Sequence, residues 1–359
     1  MALRDDAFEQ RLNGQGASWT SWRGAEVVEH FGDPDTEYHA VVDGGVGLVD
    51  FAARDTLVIT GSDTVPWLQG LVTNDLMDLE QEGSGQQTTA VNSKGRLVAE
   101  MRLLHMPEMF VADLEHENLR EGLMAHLRQH IITEDVTCHD RTGSTAKFGL
   151  FGESAPSLLE ELAQLDRSPS HLERHHGTWG TIDGVEVVAQ RIDWTGQPGF
   201  IVSCAREVQL PLWNALAEHA EPIGHDTLET LRIEAGVPRY GVELDDSIIP
   251  LEASLDDTIA YDKGCYLGQE IIARLDTLGT PAKLLRTLVF DGGAAPEKGA
   301  KLEVDGRKAG FVASSTWSPR LNCPISMAYV KRKYNDVGSV VHVEGRDATV
   351  RPLGYPMSS

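Results

Sequence analysis

After Lys283 the chain changes texture, and no other feature constrains its fold as tightly. Residues 288–290, 300–304, 309–313, 325–330 and 340–343 are short apolar or β-branched runs, separated by turns that carry glycine or proline. Strands this short cannot bury a face alone; they close on one another as a small barrel or sandwich. We therefore read residues 283–359 as a C-terminal β-barrel, with its boundary near 281–286.

The preceding residues mix helix and strand signals, which makes the fold class α+β. Residues 1–37 are polar, charged and glycine-bearing, and are expected to form an extension with a short helix around 27–31. Ordered structure is expected from Val46 onward, with a strand at 57–60, a helix opening at Ser62, and strands 88–92 and 97–104 flanking a Ser93-Lys94-Gly95 turn. Leu119, Leu123, Leu127 and Ile131 form a helical stripe. A second set follows: strand 148–151, helix 154–165, strands 185–188 and 200–203, and helices 208–219 and 227–235. Two related subdomains over residues 38–282, divided near 145, are the reading.

The balance of 31 basic against 55 acidic residues leaves a net charge of −24. Such a surface repels phosphate backbones and excludes non-specific nucleic-acid binding. The first residues turn acidic where a secretory signal needs an apolar run, and no stretch is long enough to span a bilayer, so a cytoplasmic location and no membrane partner are expected. Cys138, Cys204, Cys265 and Cys323 form no Cys-x-x-Cys pair and have no histidine at zinc-ligand spacing, so no bound metal is predicted. His175-His176 is read as part of a solvated loop.

Chemistry concentrates at Tyr261-Asp-Lys-Gly-Cys-Tyr-Leu-Gly-Gln-Glu270. Cys265 lies between a Lys263-Gly264 step and a helix beginning near Gly268. A cation and a helix N-terminus both favour thiolate. Gly264 and Gly268 are expected to supply backbone angles or close approaches closed to other residues. Gln269 and Glu270 suit a first helical turn, and their side chains are expected to hold the Cys265 loop. On the local pattern, a functional thiol and a buried cysteine in a tight turn both remain open.

In shared order, Gly47-Leu-Val-Asp50, Val72-Thr-Asn-Asp75, Leu231-Arg-Ile-Glu-Ala-Gly236, Pro250-Leu-Glu-Ala253 and Gly310-Phe-Val-Ala-Ser-Ser315 resemble the glycine cleavage T-protein, a tetrahydrofolate-dependent aminomethyltransferase. Lys263-Gly-Cys-Tyr-Leu-Gly-Gln-Glu270 further resembles the signature of the YgfZ family of folate-binding proteins within that superfamily. The resemblance implies a T-protein-like α+β core followed by a β-barrel, a bound tetrahydrofolate or derivative, and iron–sulfur client or assembly proteins as partners. It also implies a role in assembling or repairing iron–sulfur enzymes, tRNA-modifying ones included. Cys265 is then the candidate functional thiol, with Lys263, Gly264, Tyr266, Gly268, Gln269 and Glu270 as its loop. The thiol could ligate a cluster transiently, exchange thiols or attack a folate-borne carbon, and the sequence leaves these open.

Two departures from the T-protein pattern matter. Ala99 and Glu100 stand where the family carries an acidic pair, one of them essential to aminomethyl transfer, and Ile201 replaces an acid that grips the pterin ring. Asn74, Asn92, Lys94, Arg96, Trp194 and Arg232 fall in segments that match the family's pocket and are the candidate folate contacts. Each also has a plain role: turn-forming for the asparagines, solvated for Lys94 and Arg96, core for Trp194, surface helix cation for Arg232. Two alternatives stand beside the accessory reading. One is a true one-carbon transferase using Glu100, and the other is a non-catalytic folate-sensing scaffold.

Overall fold

The computed structural model describes residues 3–355. The chain divides into two compact units. Unit 1 comprises Met1–Gln69, Asp75–Thr88 and Glu100–Leu228; unit 2 comprises Gly70–Asn74, Thr89–Ala99 and Glu229–Ser359. The segments of each unit are therefore drawn from separated parts of the sequence.

Unit 1 carries a seven-stranded sheet in the order Ala163–Leu165, Gly177–Ile182, Val185–Arg191, Gly199–Ala205, Thr145–Phe151, Gly47–Asp50, Glu221–Pro222. One of its faces buries Phe148, Leu150, Phe200 and Val202 against Leu212, Trp213 and Leu216 of the helix Gln209–Ala217. A five-stranded sheet follows the order Gly85–Val91, Leu97–Met106, Met109–Glu115, Arg54–Thr60, Thr137–Asp140. The tip of its first hairpin, Thr89–Ala99, is grouped with unit 2.

The polar start of the chain is built into unit 1, which corrects the expected extension. Asp5 caps the helix Asp6–Gly14 by accepting a hydrogen bond from the Phe8 N–H at 2.8 Å, and Asp6 and Glu9 occupy its first turn. Phe8 and Leu12, four residues apart on one face, are fully buried. The Phe8 ring meets Phe148 at 5.8 Å and Trp213 at 5.5 Å between centroids. The helix expected at 27–31 is instead strand: Ser18–Trp22 and Ala25–His30 pair across Arg23-Gly24, both at positive φ (+49° and +80°). Such a two-residue turn matches the right-handed twist of paired strands. The helix expected over 154–165 stops at Leu162, because Ala163–Leu165 pairs with Gly180–Ile182 as an edge strand. Leu119, Leu123 and Leu127 of the expected stripe do share a helical run, a π-turn at Leu119–Leu123 leading into the helix Met124–Arg128, while Ile131 lies beyond its end.

In unit 2, six strands close a barrel: Lys283–Phe290, Cys323–Lys331, Arg307–Ser318, Lys301–Val304, Val340–Val343 and Arg346–Arg351, which returns to the first. Leu288, Phe290, Val312, Val330, Val341 and Val350 are among the side chains of its apolar filling. Arg232 is fully buried rather than a surface cation. Its Nε donates to Glu229 Oε1 at 2.8 Å, and its Nη1 donates to Glu243 Oε1 at 3.0 Å and to the Val237 carbonyl at 3.1 Å. No helix among the described residues is long and apolar enough to cross a membrane.

Phe8→Ala tests whether the first helix belongs to the core. Removing this ring should lower unfolding stability by about 3–5 kcal/mol in denaturant titrations. A solvated extension would give no change.

Candidate functional site

The Cys265 loop is held from beneath within unit 2. Lys263 is buried, and its Nζ donates to the Val72 carbonyl at 2.9 Å and the Asn74 carbonyl at 2.7 Å, while lying 5.2 Å from the centre of the Tyr266 ring. The Leu267 N–H adds a bond to the Gly70 carbonyl at 3.0 Å. Lys263 is thus a strut beneath the loop. Tyr266 packs into the core cluster with Ile272 and Leu251, and burial pushes its hydroxyl up to about 12.

Gly268 is the residue before the helix Gln269–Leu278 and sits at φ +81°. A Cβ there would lie 2.5 Å from the Asn92 carbonyl oxygen and 2.8 Å from Val91 Cγ2, so both angle and space demand glycine. Gly264 meets neither condition: its φ is not in the left-handed region and a Cβ would meet nothing within 4 Å. Among the described residues, the Gln269 and Glu270 side chains make no hydrogen bond or ion pair, and Glu270 faces solvent. The loop-holding expected of them falls to Lys263, Leu267 and Gly268. Cys265 itself is exposed, unlike Cys204, whose thiol burial pushes up to about 12, and Cys138, pushed up to about 11.

The candidate folate contacts are divided between the two units. Asn92 Oδ1 accepts from its own turn, from the Lys94 N–H at 2.9 Å and the Arg96 N–H at 3.2 Å, and the Arg96 guanidinium donates to the Ser247 carbonyl. Lys94 is exposed, and the Asn74 amide donates to the Asp257 carbonyl at 3.3 Å. Arg232 is sealed in its ion pairs. Trp194 belongs to unit 1, where it is buried beside the guanidiniums of Arg54 (4.7 Å) and Arg102 (5.3 Å).

That arginine pair belongs to a lattice the sequence reading missed. Asp113 accepts from Arg54 Nε at 2.9 Å and Lys147 Nζ at 2.8 Å, and Arg54 also pairs with Glu115. Burial opposes the Asp113 charge, yet these cations hold its carboxyl well below the usual carboxylate range. Glu100 is buried, accepting from Gln87 Nε2 at 2.8 Å and lying 3.3 Å from the Arg102 guanidinium. The available signal was charge inside strand runs, as at Lys147 between Ala146 and Phe148.

Asp113 and Lys147 also border a cavity of about 950 Å³ wholly within unit 1. Leu104, Val187, Trp179 and Ile201 give it apolar walls, while Thr56 and Gln190 add polar groups. Cavities of this size hold drug-sized ligands. His175 lies outside its lining and is half-buried rather than solvated; burial, reinforced by the Arg102 charge, drives its imidazole down to about 2. No group of three or more His, Cys, Asp or Glu able to hold a metal occurs among the described residues.

The sequence matches the GCVT N-terminal domain over residues 8–263. The chain belongs to the glycine cleavage T-protein family. Residues 283–353 match that family's C-terminal barrel domain. The aminomethyltransferase of Geobacillus kaustophilus is 30% identical over 353 residues, covering 95% of this chain and 94% of that protein. The aminomethyltransferase of Halalkalibacterium halodurans is 29% identical over 329 residues, covering 89% and 88%. Glycine cleavage system aminomethyltransferase T from Bartonella henselae shares the fold, with a TM-score of 0.88 at 18% identity over 99% of both chains. The T-protein fold, α+β with a closed six-stranded barrel, is therefore the architecture of this chain.

Two measurements follow from the loop. Native alkylation at mildly alkaline pH should modify Cys265 first, with Cys204 and Cys138 slow until the chain unfolds; peptide mass spectrometry reads the order. Lys263→Met should leave two carbonyls short of a donor and cost about 1–3 kcal/mol. Faster hydrogen exchange at the Leu267 amide would accompany that loss, whereas unchanged exchange would remove the strut role.

Proposed function

We propose that this T-protein-family chain binds a reduced folate in the unit 1 cavity and acts as a YgfZ-type accessory protein. In that role it supports iron–sulfur cluster assembly or repair in client enzymes, tRNA-modifying ones included, through Cys265. The cavity fits the ligand on two counts. Its volume of about 950 Å³ suffices for a pterin and its aryl arm, and apolar walls alternate with Thr56, Lys147 and Gln190. Ile201, at the position where the resemblance places a pterin-gripping acid, lines this same cavity.

The observation that carries the accessory reading is the state of the acids. Ala99 contributes no carboxylate, and the buried Glu100 is committed to Gln87 and Arg102. Acid–base work on a substrate needs a carboxylate within hydrogen-bond reach and at liberty to exchange a proton. The exposed Cys265 is instead the reactive group on offer, presented by a braced loop.

The names and full-length coverage of the relatives favour a second reading, tetrahydrofolate-dependent aminomethyl or other one-carbon transfer with Glu100 released from Arg102. One pair of assays separates the two. A strain lacking the gene should regain activity of an iron–sulfur tRNA-modifying enzyme with the wild type and not with Cys265→Ala at matched expression. Robust turnover of an aminomethyl donor with tetrahydrofolate, surviving Cys265→Ala and lost in Glu100→Gln, would replace the accessory reading with the transferase.

A further inference from the structure

We propose that Thr56 and Lys147 read the carbonyl edge of the ring that enters the unit 1 cavity, so that the cavity selects an oxo-substituted heterocycle over its amino-substituted counterpart. This rests on the folate reading above and adds the determinant of ring choice.

Along the strand Arg54–Thr60, alternate side chains share a face. Thr56 and Val58 line the cavity, while Leu57 and Ile59 are fully buried on the other side. Thr56 is 3% exposed, and its Oγ1 has no hydrogen-bond partner among the described residues. A buried hydroxyl left in this state costs about 1–3 kcal/mol, a penalty that a ligand accepting its proton would relieve.

Lys147 is equally buried and lines the same cavity. Its Nζ donates to the Asp55 carbonyl at 2.6 Å and to Asp113 Oδ1 at 2.8 Å. An ammonium carries three donors, so one remains. Because Asp55 immediately precedes Thr56, this bond brings the Lys147 ammonium next to the Thr56 backbone. The neighbouring Gln190 amide nitrogen is committed to the His175 carbonyl at 2.9 Å. Of the two acids in the lining, Asp113 is occupied by Arg54 and Lys147, and Glu186 is exposed.

The wall therefore offers donors, and an acceptor on the ring completes it. An amino group presented to Thr56 and Lys147 would set donor against ammonium and desolvate both, the mismatch that polar sites reject strongly. Tetrahydrofolate presents the required oxo group.

The test titrates the full-length protein, under anaerobic conditions, with tetrahydrofolate and with tetrahydroaminopterin, which differ by an amino group in place of that oxo group. Wild type should bind the oxo ligand at least about tenfold more tightly. Thr56→Val keeps the side-chain shape and should bring the ratio close to unity, while Thr56→Ser restores the preference. An unchanged thermal midpoint in Thr56→Val shows that folding is intact. Equal wild-type affinities, or a preference that survives Thr56→Val, would overturn the assignment and leave the folate reading standing. Failure of wild type to bind either ligand would overturn the folate reading and this inference with it.

Discussion

Charge taken out of water must find charge, and that requirement organises both units. In unit 1, Asp113 gathers Arg54 and Lys147 within hydrogen-bonding distance, with Arg102 at 3.7 Å. In unit 2, Glu229 and Glu243 enclose the fully buried Arg232. Removing one partner from such a cluster typically costs several kcal/mol, because the charges left behind have no water to turn to. Each lattice also fixes the geometry around it. The first clamps Trp194 and forms one wall of the cavity, and the second ties the helix His225–Ala235 to the segment that follows it.

The Cys265 loop solves a different problem, the exposure of a thiol on backbone that does not fray. Lys263 supplies an ammonium to two carbonyls, Tyr266 anchors the apolar side, and Gly268 lets the loop approach the Asn92 carbonyl closely. The side chains that look most reactive in the motif, Lys263 above all, are its scaffolding.

Several elements hidden from the sequence reading share one cause. Arg23-Gly24, Asp183-Gly184 and Glu344-Gly345 are two-residue turns with both residues at positive φ. Each joins adjacent antiparallel strands whose flanking residues pair directly. A charged residue before glycine reads as a solvated loop when composition is averaged, and the hairpin signal lies in the dipeptide alone. The first helix was hidden likewise: its two buried side chains, Phe8 and Leu12, are outnumbered by polar neighbours that face water.

Local pattern by itself determined the α+β class, the C-terminal barrel, the strand–turn–strand at Gly95 and the singular position of Cys265. Those features follow from periodicity, turn chemistry and a contiguous motif, all of which act over a few residues. Tertiary structure alone decided that Arg232 and Trp194 are buried, that Glu100 is bound to Arg102, and that Thr56 and Lys147 share a cavity wall. The cavity wall depends on charges that meet from distant parts of the chain, as in the pairs Arg54–Asp113 and Lys147–Asp55, and even near neighbours such as Glu100 and Arg102 pair only because the fold buries them together. Burial and partnership are properties of that meeting, and no local pattern encodes them.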